Sequence, residues 1–228
     1  MRKLVCHLLP WLPSGLRMVL ARRVLGWDIH PTARLGRSLI VVKHVRMGPR
    51  SSIGPRNIIR GLEELVLGEA ASIGGRNTIG GFPAGFPIYP DHPDRRSALI
   101  LHDYAGITVG HEIDCSDTFE LEHHAVLGGF GCVVLTHSID IKANNWRVAP
   151  VRFEHHALVL NGSTIMVGVT LAPAVVVSAN SVVPRDLDQP YMLYRGNPAE
   201  PWRQLDESYL MMSRPGDWGI GAPPAVTD

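Results

Sequence analysis

Residues 151–183 read VRFEHHALVLNGSTIMVGVTLAPAVVVSANSVV, and an apolar side chain returns at every sixth position: Phe153, Val159, Ile165, Leu171, Val177 and Val183. A period of six fits neither the 3.6 of an amphipathic helix nor the simple alternation of a meandering strand. It fits a short strand and a turn, repeated so that one apolar residue per repeat points inward and successive turns stack. The Gly and Val content of residues 150–185 disfavours helix further.

Toward the N-terminus the same beat runs through Ile29, Leu35, Val41, Met47, Ile53 and Ile59, slips by two, and returns at Leu67, Ile73 and Ile79. It resumes at Leu101, Ile107 and Ile113 and, after a second slip, at Leu121, Leu127 and Val133. Gly follows the beat at Gly36, Gly48, Gly54, Gly74, Gly80 and Gly128, as a tightly turning coil requires. The predicted fold is an all-β solenoid, a parallel β-helix over residues 29–199.

Two segments break the beat. Residues 81–98 (GFPAGFPIYPDHPDRRSA) are Pro-rich and aperiodic, and residues 138–150 follow directly on Thr136-His137; both read as long loops leaving the coil. Residues 1–28 form a separate N-terminal piece with a helix over 14–26, Ser14 as its cap and Leu16, Val19, Leu20 and Val24 on its packing face. It is expected to cap the open end of the solenoid. It is also wholly basic before Asp28 (Arg2, Lys3, Arg17, Arg22, Arg23) and carries Trp11 and Trp27, so peripheral contact with an anionic membrane through residues 1–27 is the alternative. A second helix is predicted within 200–213 (Leu205, Tyr209, Met212), and residues 214–228 are expected to be a disordered tail.

The 228 residues carry a net charge of +1 and are 45% hydrophobic, which suits a protein with a real core and implies no nucleic-acid partner. Cys6, Cys115 and Cys132 are too scattered for a disulfide framework or a zinc motif, which suggests a reducing, cytoplasmic setting. No run approaches the ~20 apolar residues of a membrane span. The stretch 8–20 is interrupted by Pro10, Pro13 and Arg17 with no cleavage site after it, so a signal peptide is not expected either.

In order along the chain stand Val133-Val134-Leu135-Thr136-His137, Pro150-Val151, Ser178-Ala179-Asn180-Ser181-Val182-Val183 and Gly196-Asn197-Pro198-Ala199. With the repeats, these segments resemble the hexapeptide-repeat acyltransferases, nearest to the sugar and polysaccharide O-acetyltransferases. The resemblance covers Ile29 to Arg203. It departs from the family's usual text at Leu158, where a Trp is common, at Leu160-Asn161 in place of a Gly pair, and at Pro184-Arg185 in place of Thr-Lys. It implies a left-handed coil, a homotrimer, and acetyl-CoA or another acyl-CoA as co-substrate with no metal. The acceptor it implies is a hydroxyl-bearing sugar, glycan or related small molecule.

Acyl transfer from a thioester to a hydroxyl needs a base, a donor for the oxyanion and two substrates held in line. His titrates near working pH, and the resemblance together with a place at the end of a repeat strand selects His137 as the base. Asp140, three residues on, is the first candidate to fix its tautomer, with Glu154 and Glu122 behind it. The resemblance aligns a backbone N–H at Asn161 with the oxyanion donor, and Asn161, Gly162 and Ala179 with contacts to the pantetheine arm. Arg185, Arg195 and Arg203 fall where the family places the nucleotide phosphates, and Asp114, Ser116 and Asp117, with His111 beside them, where it places sugar-binding residues. Three other readings stay open: N-acylation of an amino sugar, a non-catalytic β-helix, and a γ-carbonic-anhydrase-like metal site drawing on His111, His123, His124 and His137.

Overall fold

The computed structural model describes residues 2–213. The chain winds through seven coils, each laying one short strand on each of three parallel sheets. Face I runs from Asp28–Ile29 to Thr170–Leu171, face II from Arg34–Leu35 to Val176–Val177, and face III from Leu39–Val41 to Val182–Val183. Register is direct from coil to coil: Leu65 lies beside Leu99, Leu99 beside Phe119, and Phe119 beside Val151. Coils therefore stack at the inter-strand spacing of ~4.8 Å.

The beat residues fill the interior, with Met47, Leu67, Phe153, Ile73, Val159, Ile79 and Ile165 almost fully buried. Two of them are off by one. Ile40 and Val134 take the inward places, while Val41 and Val133 are half-buried on the outer surface. The cause is corner length: the turn after Leu35 is one residue short of the repeat and the turn after Leu127 one residue long. Gly36 and Gly54 stack where face II turns toward face III. A Cβ on Gly36 would lie 2.6 Å from the carbonyl oxygen of Gly54, and one on Gly54 2.5 Å from that of Gly74.

Polar side chains climb the inside of that II–III corner. Each accepts the backbone N–H of the next coil: Ser38 from Asn57, Asn57 from Asn77, Asn77 from His111, and His111 Nδ1 from Cys132. Ser163 accepts from Ser181, and Ser181 from Gly196. Buried backbone donors need such partners.

The ends differ from prediction. Helix α1 (Arg2–Leu8), a 3-10 turn (Leu9–Trp11) and α2 (Ser14–Arg23) form the N-terminal piece, but Ser14 makes no capping bond and α2 packs the other way round. Arg17 and Ala21 are buried, while Leu16, Val19 and Val24 are exposed. The guanidinium of Arg17 supplies donors to the carbonyls of Leu9, Leu12 and Leu35, an outcome that outweighs apolar burial at this end. At the other end Glu200–Gln204 is an antiparallel edge strand against Met192–Arg195, not helix, and only Leu210–Ser213 (α3) is helical. Pro201 suits an edge, which asks no N–H of it. The predicted tail 214–228 lies outside the described residues.

Candidate active site

Both excursions leave the coil at one place, the corner where face III turns back to face I. The first departs after Gly80 and rejoins at Ala98; the second is an antiparallel hairpin, His137–Asp140 against Asn145–Val148. His137 is the first residue of that hairpin. Its Nδ1 lies 2.8 Å from Oδ2 of Asp114, one coil below, with the side chains 27% and 13% exposed. The carboxylate sits off the ring's N–H axis, so the contact is an ion pair rather than an aligned hydrogen bond. Such bonds often align only when substrate is present. Nε2 has no hydrogen-bond partner among the described residues.

Asp114 is held from both sides. Oδ2 also accepts from Thr136 N at 2.9 Å and Thr136 Oγ1 at 2.6 Å, and Oδ1 from Ser116 Oγ at 2.7 Å and Ser116 N at 3.2 Å. Burial alone would push its carboxyl up, but the close contact with His137 and the hydrogen bonds from Thr136 and Ser116 outweigh it and hold the group below the ordinary range, hence ionised. The same contact raises the His137 pKa above 6.5, against the opposing pull of burial.

Aromatic rings from both excursions wall the imidazole. Trp146, Tyr89 and Phe82 stand with ring centres 5.7, 6.1 and 6.4 Å from it. Buried Arg95 pins the first excursion: it donates to the carbonyls of Phe82, Pro83 and Ser116 and lies 4.5 Å over the Tyr89 ring. Asn145 joins the two loops by donating to Asp91 at 2.7 Å. A groove of about 660 Å3 opens beside the dyad on face III, lined by Arg60, Thr78, Phe82, Glu112, Asp114 and Leu135.

Several expectations change. Asp140 does not orient His137: its carboxylate accepts the Lys142 and Ala143 amides and closes the hairpin turn. Glu122 pairs with Arg152 and His155, and Glu154 lies on the same distant corner between faces I and II. His111 is not a substrate group. It is 1% exposed, a rung of the internal ladder, its Nε2 is 2.9 Å from Thr108 Oγ1, and burial lowers its pKa to about 4. Asp114 moves from substrate ligand to partner of His137. Asp117 stays at this corner, half-buried, with its N–H on Thr136 and its carboxylate on the Thr118 amide. His111, His123, His124 and His137 lie on three different corners, and among the described residues no group of three His, Cys, Asp or Glu is placed to hold a metal.

The predicted donor-side residues collect on the II–III corner. Gly162 and Ala179 are exposed there on successive coils, with Asn161 half-buried beneath. The N–H groups of Asn161 and Ala179 have no acceptor among the described residues. Above them Arg195 and Arg203 flank Trp202, at 4.1 and 5.5 Å from its ring centre. Arg185 is apart, at the III–I corner and paired with Glu200 at 2.6 Å. The aromatic wall and Arg95 were not predicted; the clustering of Phe82, Phe86 and Tyr89 in one loop of a chain only 7% aromatic was the available signal.

No protein-family model matches the chain, and a search of curated protein sequences finds no match either. Solved structures do match in fold. A hexapeptide-repeat acetyltransferase of Vibrio cholerae O1 biovar eltor, crystallised with acetyl coenzyme A, superposes with a TM-score of 0.53 at 18% identity, over 90% of this chain and 87% of that one. The S84A mutant of AntD, an N-acyltransferase from Bacillus cereus in complex with dTDP-4-amino-4,6-dideoxyglucose and coenzyme A, superposes with a TM-score of 0.51 at 15% identity, over 78% and 84%.

Proposed function

We propose that this chain is an acyl-CoA-dependent acyltransferase that acylates a hydroxyl, with acetyl as the first acyl group to test. The observation that carries the reading is the His137–Asp114 pair, whose Asp114 lines a groove, on a fold shared with enzymes crystallised with acetyl coenzyme A and coenzyme A. His137 Nε2 takes the acceptor proton as the oxygen attacks the thioester carbonyl, and Asp114 stabilises the imidazolium that forms. The Asn161 N–H, without an acceptor among the described residues, stabilises the oxyanion. Collapse breaks the C–S bond, and His137 returns the proton to the departing thiol.

One chain does not bring these groups together. Val133 is in register with Thr164, so Asn161 lies level with residue 130, seven residues along face III from His137. At ~3.3 Å per residue, less some shortening at the corners, that is on the order of 15–20 Å. The reading therefore includes a ring of copies, a trimer, in which one copy's His137 faces its neighbour's Asn161 corner. The left-handed sense of the coil belongs to the same reading. So does a peripheral membrane contact through the N-terminal piece, where Trp11 is 83% and Leu4 65% exposed among basic residues. No helix among the described residues is long and apolar enough to cross a membrane.

The test is coenzyme A release from acyl-CoA with a panel of hydroxyl and amino sugars. Loss of His137 (His137→Ala) should lower acceptor-dependent release by about 10²–10⁴. Amine acceptors with little loss on that substitution would move the chemistry to nitrogen. Co-assembly probes the shared site: His137→Ala and Gly162→Trp should each be inactive alone, yet recover roughly a quarter of wild-type activity when mixed in equal amounts, because one site in four then joins two intact halves. No recovery would place the whole site within one chain.

A further inference from the structure

The II–III corner changes character along its length. Arg37, Arg56 and Arg76 occupy it on the first three coils, Gly110 and Gly131 on the next two, and the Asn161-Gly162 and Ala179-Asn180 steps on the last two. The three arginines line one groove of about 690 Å3 together with Pro10, Trp11 and Val109, and among the described residues no acidic one lines it. All three side chains are exposed, and none has an ion pair or hydrogen bond among the described residues. Other surface arginines divide: Arg46, Arg50, Arg96, Arg152 and Arg185 each meet a carboxylate, whereas Arg34 and Arg60 meet none among the described residues; Arg37, Arg56 and Arg76 stand apart in sharing one groove.

Three arginines on successive coils, whose strands stack ~4.8 Å apart, put like charges in one column, where they repel one another. An anion that spans them relieves that repulsion, and the planar fork of Arg matches phosphate oxygens two at a time. Trp11, 83% exposed on the groove's rim, offers a flat apolar face beside them. Above the arginines Gly110 and Gly131 leave open space, where a Cβ would meet nothing within 4 Å, flanked by exposed Val109 and Phe130. His137 leaves the same coil that carries Gly131. In a ring whose axis parallels the coil axis, equal coils stand at equal heights. A neighbour's His137 would then act two coils above Arg76 and four above Arg37, roughly 10 and 19 Å up the corner.

Resting on the acyltransfer reading above, we propose that this column is the anion site of the acceptor, which carries a phosphate, and best a diphosphate, a short sugar length from the hydroxyl to be acylated. The shared chemistry is a glycosyl diphosphate, whether linked to a nucleoside or to a lipid.

The experiment uses the full chain and a triple variant, Arg37→Gln/Arg56→Gln/Arg76→Gln, whose unaltered melting temperature and acyl-CoA-induced thermal shift show that fold and donor binding are intact. Inorganic pyrophosphate is the first probe. It should raise the melting temperature of the wild type, less so at high salt, and the triple variant should lose that shift. Equal shifts in both proteins, or none in either, overturn the proposal. If the triple variant instead loses the acyl-CoA shift while coenzyme A displaces pyrophosphate from the wild type, the column belongs to the donor and the proposal also fails. Acyl transfer to a nucleoside-diphosphate sugar and to a polyprenyl-diphosphate sugar in zwitterionic vesicles then separates the two sources; the true one should show at least a ~10-fold rise in KM in the triple variant with kcat changed far less, the signature of lost uniform binding. His137→Ala keeps the two hypotheses apart: a pyrophosphate shift that survives in it, without any acyl-CoA shift in either protein, would retain the anion site and reject acyl transfer.

Discussion

Replacing Asp114 by Asn removes a charge while leaving most of the local hydrogen bonding in place. Thr136 donates to Oδ2 through both its N–H and its hydroxyl, so the amide oxygen must take that position and the amide nitrogen must face Ser116. Nδ1 of His137 thus still meets an oxygen, and the tautomer is kept. What is lost is attraction for the imidazolium. Charge centres about 4 Å apart interact by about 4 kcal/mol at an effective dielectric of 20, and partial exposure of the pair cuts this to roughly 2–3 kcal/mol. At 1.36 kcal/mol per decade, kcat should fall roughly 30- to 150-fold. The acid limb of kcat/KM should shift as well. In the wild type it lies above 6.5 because Asp114 raises His137; in the variant the charge is gone and burial opposes only a neutral amide contact, so the limb should move down. Coenzyme A release followed across a pH series measures both, with Asp140→Asn as the comparison, since that carboxylate only closes a hairpin turn. An unmoved acid limb with wild-type kcat in Asp114→Asn, or an equal loss in Asp140→Asn, would refute the reasoning.

Further outcomes follow from the coil. His111 is buried neutral with a folded pKa of about 4 against 6.5 in the unfolded chain; the unfolded state therefore takes up the proton first, and up to about 3 kcal/mol of stability is lost as pH falls through that window. His111→Asn continues the pattern of Asn57 and Asn77 and should flatten this loss in urea melts at graded pH; an unchanged slope assigns the loss to other groups. Gly54→Ala places a methyl 2.5 Å from the Gly74 carbonyl and should cost about 1–3 kcal/mol. Gly110→Ala meets open space, with only its φ of +70° to strain it, and should cost about 1 kcal/mol, so a reversed order in thermal melts counts against the packing account. Arg95→Leu leaves the carbonyls of Phe82, Pro83 and Ser116 without their donor. Limited proteolysis within residues 81–97 should then quicken while the melting temperature of the coil stays within a few degrees; equal protection in variant and wild type would mean the loop is held by something else.

The coil was legible because its rule is local: one inward apolar residue per short strand, repeated at a fixed interval. Val41 and Val133 escaped that rule because counting residues fixes the repeat, whereas strand pairing fixes which residue turns in, and corners differ by a residue. The N-terminal helix was misread for a different reason. Leu16, Val19 and Val24 make an apolar stripe, yet the carbonyls of Leu9, Leu12 and Leu35 needed donors, and Arg17 had them. At the active site, the strand-end position of His137 could be read along the chain, but its partner could not. Asp140 is near in sequence and turned away by the hairpin, while Asp114 is near only after one coil is laid on another. Likewise Tyr89, Phe82 and Trp146 reach the imidazole from loops whose course no periodicity describes.

Both excursions are insertions at a single corner, and the sheets pass them without a change of register: Ile79 meets Ile113, and Phe119 meets Val151, as though the loops were absent. The coil that carries Asp114 is thus built independently of the loops, whereas His137, paired with Val148, opens the second of them. Loop length and sequence can drift between Gly81 and Tyr89 and at the hairpin tip around Lys142 and Ala143 without a shift of the coil, so long as Arg95 and the His137–Val148 pairing are kept. In the acyltransfer reading proposed above, the same coil could then meet a different acceptor with the His137–Asp114 pair left where it stands.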